Sequence, residues 1–158
     1  MVIKGVFAAR GCPYGWVPYA ESCYLGLDGS MEGDWSTAVI QCDRNNASIM
    51  LPSSDWENEF IFRSFQHHGS PVGVWINCND AVVEGDWNCY EDGKYPTEYR
   101  KWRPTQPDDE AWPMSQDYAY MLTRVLTDPN ELGFWGDVNN GVLIFIVCER
   151  PRQARCSY

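Results

Sequence analysis

Apolar residues recur with a helical period in two stretches of this chain and with a strand-like pattern in most of the rest. After Asp34-Trp35-Ser36, residues Trp35, Ala38, Val39 and Cys42 fall at i, i+3, i+4 and i+7, the face of one amphipathic helix. Cys42 is therefore expected to face the core. Ser54-Asp55-Trp56-Glu57 has the form of a capping box, and Trp56, Phe60, Ile61, Ser64 and Phe65 give a second helix a mostly apolar side. Elsewhere the runs are short. Cys12-Pro-Tyr-Gly-Trp16 followed by Ser22-Cys23-Tyr24-Leu25 predicts a hairpin, and Val74 to Cys78 and Asp86 to Cys89 flank a turn-rich segment as neighbouring strands do. Tyr118 to Leu122 is a third strand candidate. Gly141 to Cys148 is the most apolar run, and a strand apolar at every position is buried on both faces. Neither an internal repeat nor a flexible linker interrupts the pattern.

Composition narrows the class. With 158 residues, 44% of them hydrophobic and 22% charged, the chain suits one globular domain. A formal charge of −10 argues against nucleic acid and anionic membrane as partners, since both are bound through basic patches, and suits a bound cation. No apolar run approaches the roughly 20 residues that span a bilayer. Met1 to Arg10 lacks the apolar core of a signal peptide, so the chain is expected to be a mature or recombinant form. Seven cysteines without a paired Cys-x-x-Cys arrangement suggest a disulfide framework and an extracellular, secreted setting. Antiparallel pairing could bring Cys12 within reach of Cys23, and Cys78 and Cys89 could staple the second hairpin. A bond from Cys148 to Cys42 would close a loop of about 100 residues, worth up to roughly 4.7 kcal/mol in the chain-entropy model.

Candidate chemistry centres on Trp102 to Asp117, which has neither period and holds three prolines, two tryptophans and four carboxylates. A long ordered loop of that kind carries function, and its oxygens suit calcium or magnesium rather than zinc. The plainer alternative is a solvated acidic loop. His67-His68 have no third ligand nearby and read as a polar helix end, while Asn46-Ala47-Ser48 is a glycosylation sequon. Catalysis is not expected: no Gly-x-Ser-x-Gly, phosphate-cradling glycine loop or histidine beside a nucleophile occurs, and the adjacent acids Asp108 and Asp109 read as cation ligands rather than a glycosidase pair.

Several short motifs, taken together, resemble the C-type lectin domain: Cys12-Pro-x-Gly-Trp16, helix-borne Cys42, Trp75-Ile76-Asn77-Cys78-Asn79-Asp80, Glu84-Gly85, Gln106-Pro107-Asp108, Trp135-Gly136-Asp137 and Cys148-Glu149. The resemblance spans Cys12 to Glu149 and implies an α+β fold, two helices flanking small antiparallel sheets with a long calcium-binding loop and disulfide staples. It sets the domain at 12–150, between an N-terminal extension (1–11) and a C-terminal tail (151–158). Because domains of this kind also bind proteins, ice or mineral, function has to rest on the site.

In the family, Gln-Pro-Asp with a cis bond before proline is the form associated with galactose-like sugars. The resemblance implies that Gln106, Asp108, Gln116 and Asp137 hold calcium and contact a sugar, with Trp112 stacking on its apolar face. A neighbouring calcium site would use Asp80, Glu84, Asp109 and Asp117 with the Gln116 carbonyl. Two departures weaken the sugar site: Gln116 stands where a glutamate is expected and Gly136 where an asparagine is. The family's second common disulfide would join positions occupied by Tyr118 and Asn140. That leaves Cys156 as the odd cysteine, suggesting an intermolecular bond and a covalent homodimer. Two functions follow as expectations: a calcium-dependent lectin for galactose-type glycans, or a domain with a degenerate sugar site that binds a protein or another non-sugar ligand.

Overall fold

The computed structural model describes residues 11–27, 32–66, 72–90, 97–109, 115–126 and 128–153. The hairpin consists of β1 (Val17–Tyr19) and β2 (Ser22–Gly26), paired Val17 to Tyr24. A short strand β3 (Glu32–Gly33) leads into helix α1 (Trp35–Arg44). Asp34 caps α1 by accepting the Thr37 N–H at 2.7 Å. Ala38 and Cys42 are buried as their spacing requires, whereas Val39 sits at the edge of that face and is 40% exposed.

Strand β4 (Ser48–Ile49) precedes helix α2 (Asp55–Phe65), where Ser54 accepts the Glu57 N–H at 3.2 Å. The reciprocal half of the capping box is displaced by one residue. The Glu57 carboxylate takes the N–H and hydroxyl of Ser53, at 2.6 and 2.5 Å, and the buried Tyr24 hydroxyl. The inward face of α2 also differs from the apolar spacing, because Trp56 is 81% exposed while Glu57 and Asn58 are buried. Both polar residues face inward because partners await them: Asn58 accepts the Trp135 indole N–H at 2.7 Å and donates to Gly133 O at 2.9 Å.

Strands β5 (Gly73–Asn79), β6 (Asn88–Cys89), β7 (Tyr118–Leu122) and β8 (Trp135–Val138) follow, with β9 (Ile144–Phe145) and β10 (Val147–Pro151) ending the fold. One sheet runs β3-β9-β5-β7-β8 with β6 on β5, the other β1-β2-β10-β4. Side chains alternate between two core clusters. Val74, Ile76, Ala119 and Met121 pack with Ile61 and Phe65 of α2, while Trp75, Tyr120 and Leu122 pack with Ala38 and Cys42 of α1. With helices on both faces, the central strands have no polar side, which explains their unbroken hydrophobicity.

Gly141 to Cys148 is not a single strand. Leu143 is 58% exposed, and the buried part from Ile144 onward divides between the sheets, β9 pairing with β3 and β5 and β10 with β2 and β4. Buried residues on both faces carry no period that would mark the division.

The three described disulfides are Cys12–Cys23, Cys42–Cys148 and Cys78–Cys89, with Cα separations of 5.5, 5.3 and 4.1 Å. Where the family's second disulfide would lie, other contacts bind the same ground to α1. Trp35 packs on Tyr118 with ring centroids 4.9 Å apart, and Asn140 Oδ1 accepts the Ser36 N–H at 3.2 Å. Cys156 and His67-His68 lie outside the described residues.

Candidate functional site

The long loop begins docked to β8. Arg103 N–H donates to Trp135 O at 2.8 Å, Trp135 N–H donates to Lys101 O at 2.7 Å, and Trp102 packs edge-on against both Trp135 and Trp87. That anchorage presents the Gln106–Pro107 bond, which is cis, directly above the end of β8. Asp137 N–H donates to Gln106 Oε1 at 3.1 Å, and Asp137 Oδ2 accepts the N–H groups of Asp108 and Asp109 at 3.1 and 3.0 Å. Gln106 Nε2 in turn donates to Asp108 Oδ2 at 2.5 Å. Gln106, Asp108 and Asp137 therefore stand together, as the sequence anticipates. Burial pushes the Asp137 carboxyl above the usual carboxylate range, partly offset by the backbone N–H groups of Asp109 and Asp108.

These three side chains line one end of a cleft of about 490 Å³, with Arg103, Gln116 and Tyr120. Val72, Leu126, Val142 and Ile144 form its apolar remainder. Gln116 thus reaches the expected site, although an amide replaces the carboxylate. At Gly136 no side chain enters. Arg103 and Tyr120 were not foreseen in the cleft. Tyr120 follows from strand alternation once β7 is placed beside β8, because Tyr120 and Gly136 are register partners.

The second group of acids lies where β5 ends and β7 begins, joined by the Asp80 N–H donating to Asp117 O at 3.0 Å. One carboxylate oxygen from each of Asp80, Glu84 and Asp117 lies within 4.8 Å of the others. Asp80 is 3% exposed; its Oδ2 accepts the Gly85 N–H at 2.9 Å, but its Oδ1 is buried without a hydrogen-bond partner. Burial raises the Asp80 pKa, as does the charge of Asp117; Glu84 is raised by desolvation and by Asp80, Asp109 and Asp117. The Gly85 N–H and the neighbouring Glu84 carboxyl partly offset that rise at Asp80; a buried oxygen without a hydrogen-bond partner among three carboxylates fits a hard cation, and the all-oxygen donor set fits calcium. Asp109 is less engaged than expected: its Oδ1 accepts the Gln116 N–H at 2.7 Å, and it reaches the cluster through its charge on Glu84. Trp112 lies outside the described residues, as do Glu110 and Pro113.

A disulfide-stapled α+β domain with two helices about a sheet, crowned by a loop holding paired acid sites, defines a class of binding domain. The family described as the lectin C-type domain matches residues 20–150, and this chain belongs to it. Asialoglycoprotein receptor 1 of Mus musculus is 34% identical over 148 residues, covering 92% of this chain and 44% of the receptor. The galactose-specific lectin nattectin of Thalassophryne nattereri is 32% identical over 102 residues, 64% of this chain and 62% of that protein. The solved structure of the C-type lectin CEL-I from Cucumaria echinata is similar with a TM-score of 0.74 at 22% identity, over 90% of this chain and 99% of that one, a likeness of fold. The chain spans less than half the length of the curated receptors it matches. C-type lectin domains generally hold calcium, and the homologues of this chain in the family are carbohydrate-binding proteins rather than enzymes. Among the described residues no helix is long and apolar enough to cross a membrane.

Proposed function

We propose that the chain is a calcium-dependent carbohydrate-binding domain that prefers galactose and N-acetylgalactosamine-type sugars, in an extracellular, secreted protein. The observation that carries this reading is the convergence of Gln106, Asp108 and Asp137 on one cleft around the cis Gln106–Pro107 bond. Gln106, Asp108 and Asp137, with Gln116 at the rim, would hold one calcium, and Asp80, Glu84, Asp109 and Asp117 a second. Bound calcium supplies a positive charge that takes two adjacent sugar hydroxyls. The protein decides which sugar. The Gln106 amide N–H donates to one ligand hydroxyl, and the carboxylates of Asp108 and Asp137 accept from another. Trp112 would add an aromatic face for the apolar side of the ring, and a dimer linked through Cys156 would offset weak single sites by avidity. Retention on galactose-agarose in calcium, released by EDTA, is the expected result. Retention indifferent to chelator, or no binding across a glycan array, would refute the proposal.

A second reading, a domain that keeps the fold and binds a protein, is favoured by one observation: Gly136 offers the cleft no side chain. Sites of this extracellular kind bind calcium at only about 10⁻⁴–10⁻³ M, so each lost ligand counts.

A further inference from the structure

Gly136 lies beside a residue whose position makes its lack of a side chain intelligible. A Cβ added at 136 would stand 3.1 Å from Gln106 Oε1 and 3.1 Å from both Cε1 and Oη of Tyr120. Those neighbours have little room to retreat. Gln106 Oε1 is held by the Asp137 N–H, and Tyr120 is only 6% exposed within the cluster of Trp75, Leu122 and Ile144. The opposite edge of the same ring meets a second glycine, since a Cβ at Gly73 would lie 2.9 Å from Tyr120 Cδ2. Strands β5 and β8, which flank β7, thus each present a glycine to one edge of the Tyr120 ring. The ring lies wedged across the sheet with its hydroxyl at the wall of the cleft, beside Gln106 and Asp137. Among the described residues that hydroxyl donates to no protein group, although the side chain is more than nine-tenths buried. A hydroxyl open to a cleft and without a protein partner among the described residues is free to bond a ligand.

We infer that Tyr120 occupies the place left by the side chain missing at 136, and that its hydroxyl is the polar group offered there to a sugar hydroxyl. This rests on the carbohydrate reading of the cleft. Gly136 is then not an eroded ligand position but the space the phenol requires. It follows that restoring asparagine at 136 alone cannot rebuild a sugar site.

The test is a set of variants of the full chain, Tyr120→Phe, Gly136→Asn and Gly136→Asn with Tyr120→Ala, measured by thermal melting and by binding of N-acetylgalactosamine in calcium. Tyr120→Phe should melt within about 2 °C of the parent and bind about tenfold more weakly, the loss of one ligand hydrogen bond. Gly136→Asn should melt at least about 4 °C lower, as overpacking does, with part of that loss recovered when Tyr120→Ala is added. A Tyr120→Phe variant that binds as the parent does overturns the inference and leaves the carbohydrate reading standing. A parent that binds no sugar sinks that reading instead, and melting then decides the packing claim: Gly136→Asn as stable as the parent overturns it, and loss relieved by Tyr120→Ala upholds it.

Discussion

A buried polar atom left without a partner costs about 1–3 kcal/mol, more if charged, so Asp80 Oδ1 is the single atom that most strongly implies a cation. Its effect on stability has a defined sign. Asp80 and Glu84 have folded pKa values raised above their usual ones. Each therefore contributes stability that is fully present below about pH 4 and is lost as pH rises through the raised value. In EDTA, Asp80→Asn should be at least as stable as the parent near pH 7, and it should lose most of the rise in melting temperature that millimolar calcium gives the parent. A parent whose melting temperature ignores calcium at every pH would remove the cation from this cluster. Tyr24 shows the opposite economy, a buried hydroxyl engaged by Glu57 and Glu149, the latter at 3.0 Å. Burial, then the charges of Glu149 and Glu57, hold its phenol far above the usual value of about 10. Its contribution is complete below pH 10 and is lost above it, because the unfolded chain then releases the proton more readily. Tyr24→Phe should cost about 1–3 kcal/mol in urea unfolding at pH 7, and the difference from the parent should shrink above pH 10.

At the level of elements, the strongest constraint is the close pairing of β5 with β7, which joins Asp80 to Asp117. A Cβ at Gly73 would lie 2.0 Å from Met121 O, so Gly73→Ala has to push these strands apart. It should destabilise the domain by more than about 2 kcal/mol and weaken calcium binding although it touches no ligand; a variant of parental stability would contradict that pairing. Much of this scaffold was legible in the chain. Helix α1 follows from its period, and β5 and β7 from their apolar runs. What was not legible has physical causes. Buried hydrogen bonds turn Glu57 and Asn58 of α2 inward and leave Trp56 outside, so apolar spacing marked the wrong residue. The division of 144–151 into β9 and β10 left no trace, because helices cover both faces of the sheet. In the loop, residue type pointed to a hard cation, and only the resemblance to the C-type lectin domain grouped Gln106 with Asp108 and Asp137. The role of Tyr120 depended on a cross-strand neighbour that only register reveals.

For the molecule as a whole, the Cys42–Cys148 bond ties α1 to the last strand over a separation of 106 residues. Replacing both cysteines by alanine should lower stability by about 2–5 kcal/mol, read from urea unfolding, and a loss under 1 kcal/mol would show that packing alone holds these elements. The charge of −10 also matters at this scale, since acids gathered on one loop repel until a cation joins them. Calcium and sugar should then be linked: whatever calcium does for sugar affinity, sugar must do for calcium affinity. The most direct measurement is therefore a calorimetric titration of calcium into the chelator-stripped chain, with and without galactose. Saturable binding near 10⁻⁴–10⁻³ M that tightens several-fold when galactose is present is the predicted result. Calcium binding indifferent to galactose, or no calcium binding at all, would contradict the carbohydrate-binding reading of this loop.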